Sequence, residues 1–282
     1  VADSLVASEY NRIYGDNETL LNAYPTGSFP EGFWQFNWSP LGLYRKNNWV
    51  ASVRGVNNTF LGTEIYASNN RYGRYQSYGA LEIMYSPGNS GSGFTRTGWD
   101  WNRPPGTTTK LLSYTNLNPP NDRADERALT KFAGALRFKE NSNFLILDKG
   151  EMGMYGHDFQ QKQNAASSHD STFKFKKSWY FINDYIVCLG SNIQSQDQGN
   201  KTITTLFQGS LNNLTDPINL NGTNISTFPY TKKIISPGGQ WLIDAYNTGY
   251  FIVSGQNLNI DRHTQTSPDQ SGNGTTSTGD FA

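Results

Sequence analysis

Trp179-Tyr180-Phe181-Ile182-Asn183-Asp184-Tyr185-Ile186-Val187-Cys188-Leu189 is the stretch on which the fold class turns. Two apolar arms rich in aromatic and β-branched residues flank Asn183-Asp184, a pair suited to a two-residue turn, so the stretch reads as a tight β-hairpin with two well-buried arms. Similar runs lie on both sides of it. Trp49–Arg54 and Ala80–Tyr85 alternate with period two, and Phe144–Leu147 is a further apolar run. Downstream, Thr202–Phe207, Gln240–Ile243 and Tyr250–Val253 continue the series, with Gly and Asn clusters between them. Many strands punctuated by turn signals, and no helical pattern of any length after Gly32, imply an all-β chain: a large antiparallel β-sandwich.

The ends differ from this centre. Leu5, Ala7, Tyr10, Ile13 and Tyr14 recur at roughly helical spacing before Gly15-Asp16-Asn17 breaks the pattern, and Pro25, Gly27, Pro30 and Gly32 follow. Residues 1–28 therefore read as a helical tail and linker, and residues 29–263 as the sandwich. Residues 264–282, mostly Ser, Thr, Gly, Asn and Gln, read as a polar loop or frayed C-terminus. The opening residues carry neither an initiator Met nor the basic and apolar regions of a signal peptide, so the chain is expected to begin mid-protein.

Composition narrows the function classes. With 282 residues the chain can bury a substantial core, and no apolar run approaches the roughly 20 residues that cross a bilayer, so no membrane partner is expected. The formal charge is zero, which argues against gripping nucleic acid by overall basicity. One cysteine, Cys188, excludes an internal disulfide and reads as a small buried hydrophobe. His157, His169 and His263 lack metal-ligand spacing and read as surface histidines, so no metal is assigned. Neither a nucleophile-elbow motif nor a phosphate-binding loop is present. Only 16% of residues are charged while 14% are aromatic, a balance that suits a carbohydrate-handling β protein or another extracellular sandwich.

One window stands apart. Between Arg54 and Lys110, the six cations Arg54, Arg71, Arg74, Arg96, Arg103 and Lys110 face only Glu64, Glu82 and Asp100, a local balance of +3. Tyr66, Tyr72, Tyr75, Tyr78, Trp99 and Trp101 are interleaved with them, as are Asn69, Asn70 and Asn102. Arginine grips a uronate carboxylate or sulfate bidentately, aromatic rings cover the C–H faces of pyranoses, and amides meet hydroxyls, so the mix suits an acidic sugar polymer. Single-stranded nucleic acid uses similar groups. The competing structural reading makes Arg71 and Arg74 strand-surface cations paired with carboxylates, and the tryptophans core.

Within that window, Gly98-Trp99-Asp100-Trp101-Asn102-Arg103-Pro104-Pro105-Gly106-Thr107-Thr108 resembles the signature of polysaccharide lyase family 8, the chondroitin, hyaluronate and xanthan lyases. Gly32-Phe33-Trp34-Gln35-Phe36-Asn37, Glu64-Ile65-Tyr66, Asn70–Ser77, Leu189–Ile193, Thr204–Gln208 and Gln240–Asp244 follow in the order of the family's chondroitinase ABC-like branch. The resemblance spans roughly Phe29 to Arg262. It implies the central, galactose mutarotase-like supersandwich portion of a larger enzyme. The partners implied are a missing N-terminal α/α toroid, further C-terminal β domains and a glycosaminoglycan polysaccharide.

The activity implied is β-elimination at uronic acid of chondroitin or dermatan sulfate, with hyaluronan a further candidate, giving a 4,5-unsaturated product. The family's Tyr, His and Arg lie on the toroid, so the chain alone is expected to be inactive. By motif position Glu64 would orient those groups. Asn70, Arg71, Arg74, Trp99, Trp101, Asn102 and Arg103 are the substrate-cleft candidates, with the alternative that Trp101 and Asn102 hold the turn into Pro104-Pro105-Gly106. No cofactor is implied, divalent-cation dependence of the parent stays open, and the expected compartment is the bacterial periplasm or exterior. The alternative function is a non-catalytic carbohydrate-binding sandwich.

Overall fold

The computed structural model describes residues 31–63, 65, 70–85, 91–118, 127–140, 150–164, 168–235, 238–270 and 274–282. The helical reading of Ser4–Tyr14, the strand reading of Phe144–Leu147, and Glu64, Tyr66 and Asn69 lie outside the described residues.

The chain first forms a meander of β1 (Gly32–Phe36), β2 (Leu41–Lys46), β3 (Trp49–Arg54) and β4 (Ala80–Tyr85), then the short β5 (Thr108–Lys110). The long strands β6 (Ala133–Glu140), β7 (Gly150–Gln160), β8 (Lys174–Ile182) and β9 (Tyr185–Gln194) complete an eight-stranded antiparallel sheet. Its order is β4-β3-β2-β1-β7-β8-β9, with β6 also paired to β7. The later strands are β10 (Thr202–Thr204), β11 (Ile218–Leu220), β12 (Thr223–Ile225), β13 (Tyr230–Ile234), β14 (Gln240–Ile243), β15 (Gly249–Ile252), β16 (Leu258–Pro268) and β17 (Thr276–Phe281). They make a β10-β5 pair, a four-stranded sheet ordered β12-β11-β14-β15 and a three-stranded sheet ordered β13-β16-β17.

Local chemistry explains the tight turns. Asn47, Asn183 and Asn221 take positive φ at the first position of the loops joining β2–β3, β8–β9 and β11–β12, a conformation that asparagine tolerates. Alternation then decides the faces. Phe33, Tyr44, Ala51, Val53, Ala135, Tyr155, Trp179 and Phe181 point to one side of the large sheet and form a buried core. A second core gathers Tyr72, Tyr75, Tyr78, Trp99, Trp101, Phe159, Phe173, Phe175 and Phe281. The third, built on Ile218, Leu220, Leu242 and Ile260, joins the two smaller sheets.

Two expectations are corrected. The 179–189 hairpin forms with the expected turn, but only its first arm is buried: Trp179 and Phe181 are fully enclosed, whereas Tyr185 is 72% exposed and Val187, Cys188 and Leu189 are exposed. The reason is position, since β9 ends the sheet and pairs only with β8 among the described strands. The described residues of 264–282 are not a frayed tail. They supply the end of β16 and all of β17, registered from His263↔Phe281 to Pro268↔Thr276. Threonine is a good strand former, and hydroxyl pairs such as Thr266 Oγ1 with Thr278 Oγ1 (3.1 Å) replace apolar cross-strand contacts. Phe281 at the strand's end is fully buried in the second core.

Candidate substrate-facing site

The chain leaves β3 into a loop whose bends are made by its own side chains. Asn57 Oδ1 accepts from the amides of Thr59 (2.9 Å) and Phe60 (2.8 Å), and Arg54 donates to the Gly62 carbonyl at 3.2 Å. Ile65 is fully buried, so it anchors the chain at the residue after Glu64. Asn70 and Arg71 follow, both half-buried. The Arg71 amide donates to the Gln270 carbonyl at 2.9 Å, tying the loop to the β16–β17 turn. A 3₁₀ turn, Gly73–Ser77, then brings Tyr75 and Tyr78 into the core. Gly73 permits it, because a Cβ there would sit 2.1 Å from the Asn70 amide oxygen.

The Trp-Asp-Trp-Asn-Arg segment packs behind this loop. Trp99 lies edge-on to Phe94 (4.9 Å) and Phe281 (6.1 Å). Trp101 stacks on Tyr72 at 6.4 Å and 27°, and its indole N–H donates to the Pro268 carbonyl at 2.9 Å. Asp100 organises the turn: Oδ1 accepts from the Asn102 amide (2.9 Å) and the Tyr114 hydroxyl (3.1 Å), while Oδ2 pairs with Arg103 Nε (2.9 Å). The Asn102 amide donates to the Leu112 carbonyl (2.9 Å) and accepts from the Leu112 N–H (3.1 Å), acting as a backbone substitute. Gln208 closes the turn by accepting from the Asp100 N–H and donating to the carbonyls of Asp100 and Arg103.

This geometry corrects four of the seven expected cleft residues. Trp99, Trp101, Asn102 and Arg74 are buried, so they are interior groups rather than polymer-contacting ones. The physical reason is supply of partners. The polar atoms of Asn102 and the Trp101 indole N–H are already used on backbone groups, Trp101 stacks on Tyr72, and Trp99 makes edge contacts with Phe94 and Phe281. Arg103 is part-exposed and held by Asp100. Asn70, Arg71 and Arg103 are the expected cleft residues that stay partly exposed. Sequence reasoning missed Tyr114, Leu112 and the Pro268–Gln270 carbonyls. The last two act through the backbone and leave no residue-type signal.

Proton chemistry is not concentrated here. Burial, reinforced by the Asp100 carboxylate, pushes the Tyr114 hydroxyl far above its ordinary range, and burial raises Tyr72 against the opposing charge of Arg71. Neither is poised as a base near neutrality. Against the surface reading, His157 and His169 are buried; His157 Nε2 lies 2.9 Å from the Val56 carbonyl, and burial lowers its pKa to about 4. Lys177 donates to the Gly106 carbonyl, lies 5.0 Å above the Trp179 ring, and is brought by burial to about 8. Among the described residues no group of three His, Cys, Asp or Glu could hold a metal ion, and no helix is long and apolar enough to cross a membrane.

Antiparallel sheets joined through an aromatic core define a super-sandwich, a fold shared with solved carbohydrate-degrading enzymes. The Paenibacillus xanthan lyase superposes with a TM-score of 0.70 at 19% identity, covering 99% of this chain and 25% of that one. A chondroitinase AC lyase gives 0.68 at 21% identity, covering 95% and 36%. The chain belongs to polysaccharide lyase family 8, whose super-sandwich domain matches residues 31–280. Among curated relatives, the chondroitin sulfate ABC endolyase of Proteus vulgaris is 31% identical over 92% of this chain, and the ABC exolyase of the same organism is 31% identical over 95%. The chain spans about a quarter of the length of each, 24% and 26%.

Proposed function

We propose that this chain is the super-sandwich part of a chondroitin-type glycosaminoglycan lyase that cleaves by β-elimination at uronic acid and leaves a 4,5-unsaturated sugar. The observation that carries the reading is the 31% identity to the chondroitin sulfate ABC endolyase over 92% of the chain. The reaction removes a proton α to a carboxylate, a carbon acid too weak to ionise unless the carboxylate charge is neutralised and the developing enediolate meets preorganised donors. The Tyr72 and Tyr114 hydroxyls are tuned away from base chemistry, which supports placing the proton-transfer groups on polypeptide outside this domain. The domain by itself is then inactive. Its contribution is the surface loop, with Glu64 orienting the toroid's catalytic groups and Asn70 and Arg71 meeting the polymer's hydroxyls and anionic groups. A polymeric substrate places the parent enzyme outside the cytoplasm.

The test is turnover of chondroitin sulfate by the full-length enzyme, followed by ultraviolet absorbance of the unsaturated uronate. Glu64→Ala is expected to lower kcat by at least about 100-fold, as loss of a group that holds catalytic partners in place does. Undiminished turnover refutes the role of Glu64.

A further inference from the structure

The C-terminal hairpin touches the surface loop twice. At its tip, the Gln270 carbonyl accepts the Arg71 amide at 2.9 Å. Two residues earlier, the Pro268 carbonyl accepts the Trp101 indole N–H at 2.9 Å, and the Trp101 ring stacks on Tyr72, the neighbour of Arg71. Tyr72 is held on another side by Tyr114 (6.1 Å, edge-on), whose hydroxyl is fixed by Asp100 of the motif turn. The hairpin has its own reasons to be rigid. Its ladder runs over six residue pairs, Asp269 N–H bonds to the Thr275 carbonyl across the turn, and Phe281 plugs the aromatic core. Gly98 lies against it so closely that a Cβ would stand 2.4 Å from the Gly279 nitrogen.

We propose that the end of β16, Pro268 to Gln270, is a strut that sets the position of Asn70 and Arg71, with Trp101 and Tyr72 as positioning residues that act through Arg71. The inference rests on the reading of Asn70 and Arg71 as polymer-facing groups, and it gives the buried tryptophan of the motif a function other than sugar stacking. A guanidinium that grips a carboxylate bidentately needs its backbone fixed in both position and direction. Two carbonyls two residues apart at the end of β16, that of Gln270 bonded to the arginine's own amide and that of Pro268 to the ring under its neighbour, fix both. Loosening the strut therefore weakens substrate binding and leaves the chemical step, carried elsewhere, nearly unchanged.

A double-mutant cycle in the full-length enzyme tests this. Trp101→Phe leaves an aromatic ring beside Tyr72 but deletes the indole N–H and the volume of the second ring; the loss is expected to raise KM for chondroitin sulfate at least about fivefold, with kcat within about twofold. Arg71→Gln is expected to raise KM by at least as much. The double variant should then show no further rise, because Trp101 acts through Arg71. Additive KM effects, or a fall in kcat with KM unchanged, overturn the inference. If Trp101→Phe does not fold, Tyr72→Leu removes the same stack and completes the cycle. An unchanged KM in Arg71→Gln also overturns the positioning role, and amide hydrogen exchange at Arg71 in Trp101→Phe shows which premise failed. Exchange about fivefold faster means that the strut exists and the polymer-facing reading is wrong, whereas unchanged exchange means that the strut itself is wrong.

Discussion

His157 makes the stability of this domain depend on pH in a direction that can be worked from its surroundings. The ring is 1% exposed, with Nε2 2.9 Å from the Val56 carbonyl and edge-on contacts to Phe159 (5.5 Å) and Phe175 (5.4 Å). Its Nδ1 has no hydrogen-bond partner among the described residues, so the neutral tautomer with hydrogen on Nε2 fits and an added proton on Nδ1 does not. Burial, aided by the charge of Lys177, takes the pKa from 6.5 to about 4. The folded-state value is below the unfolded one, so between the two the unfolded chain binds a proton that the folded chain refuses. Stability is therefore full above about pH 6.5 and falls as the pH drops towards 4. The whole shift corresponds to about 3 kcal/mol, most of it lost by about pH 4.5.

The assay is urea unfolding followed by tryptophan fluorescence from pH 8 to 4.5, comparing the native chain with His157→Gln. Glutamine removes the titration and keeps an N–H donor able to reach the Val56 carbonyl. Other groups titrate acidically as well, Asp197 and Glu31 among them, both held low by hydrogen-bonded partners. The diagnostic quantity is therefore the difference between the two proteins. The His157→Gln chain should lose roughly 2 to 3 kcal/mol less than the native chain over this range. Equal losses would show that His157 protonates in the folded state as readily as in the unfolded one, and the argument from its burial would be wrong.

Two further substitutions probe the packing. Arg262 is fully buried, and its guanidinium donates to the carbonyls of Asp216 (2.6 Å), Leu214 (2.7 Å) and Thr227 (3.1 Å), so Arg262→Leu strands three acceptors. The expected cost is roughly 3 kcal/mol or more, a fall in Tm of about 6 to 12 °C by differential scanning fluorimetry, and a fall under 2 °C contradicts the clamp. Gly79 has φ of +81°, and a Cβ there would stand 2.5 Å from Trp179 Cη2. Gly79→Ala is expected to destabilise by roughly 2 kcal/mol in chemical denaturation, and a neutral result would mean that Trp179 shifts without cost.

What the sequence shows and what it hides divide along a physical line. The hairpin at Asn183-Asp184 and the meander strands are legible because period-two patterning and turn chemistry are local. The exposure of Tyr185–Leu189 is not, since an apolar strand has the same composition at the edge of a sheet as at its centre, and only pairing partners tell the two apart. Residues 264–268 and 276–281 mislead for the opposite reason: their backbone is paired through the β16–β17 ladder while their side chains, apart from Phe281, carry little apolar signal. At the candidate site the ambiguity is sharper. A tryptophan, an asparagine and an arginine in close sequence suit a sugar or a core equally well, and the choice depends on whether some distant backbone group needs the same donors. Leu112 needs the Asn102 amide, and Pro268 accepts the Trp101 indole N–H. Those demands turn the motif inward, and the turning has a consequence for the loop in front of it. With Trp101 and Tyr72 stacked behind, Arg71 is tied by its own amide to Gln270, so the residues most distinctive in the sequence support this loop from beneath it.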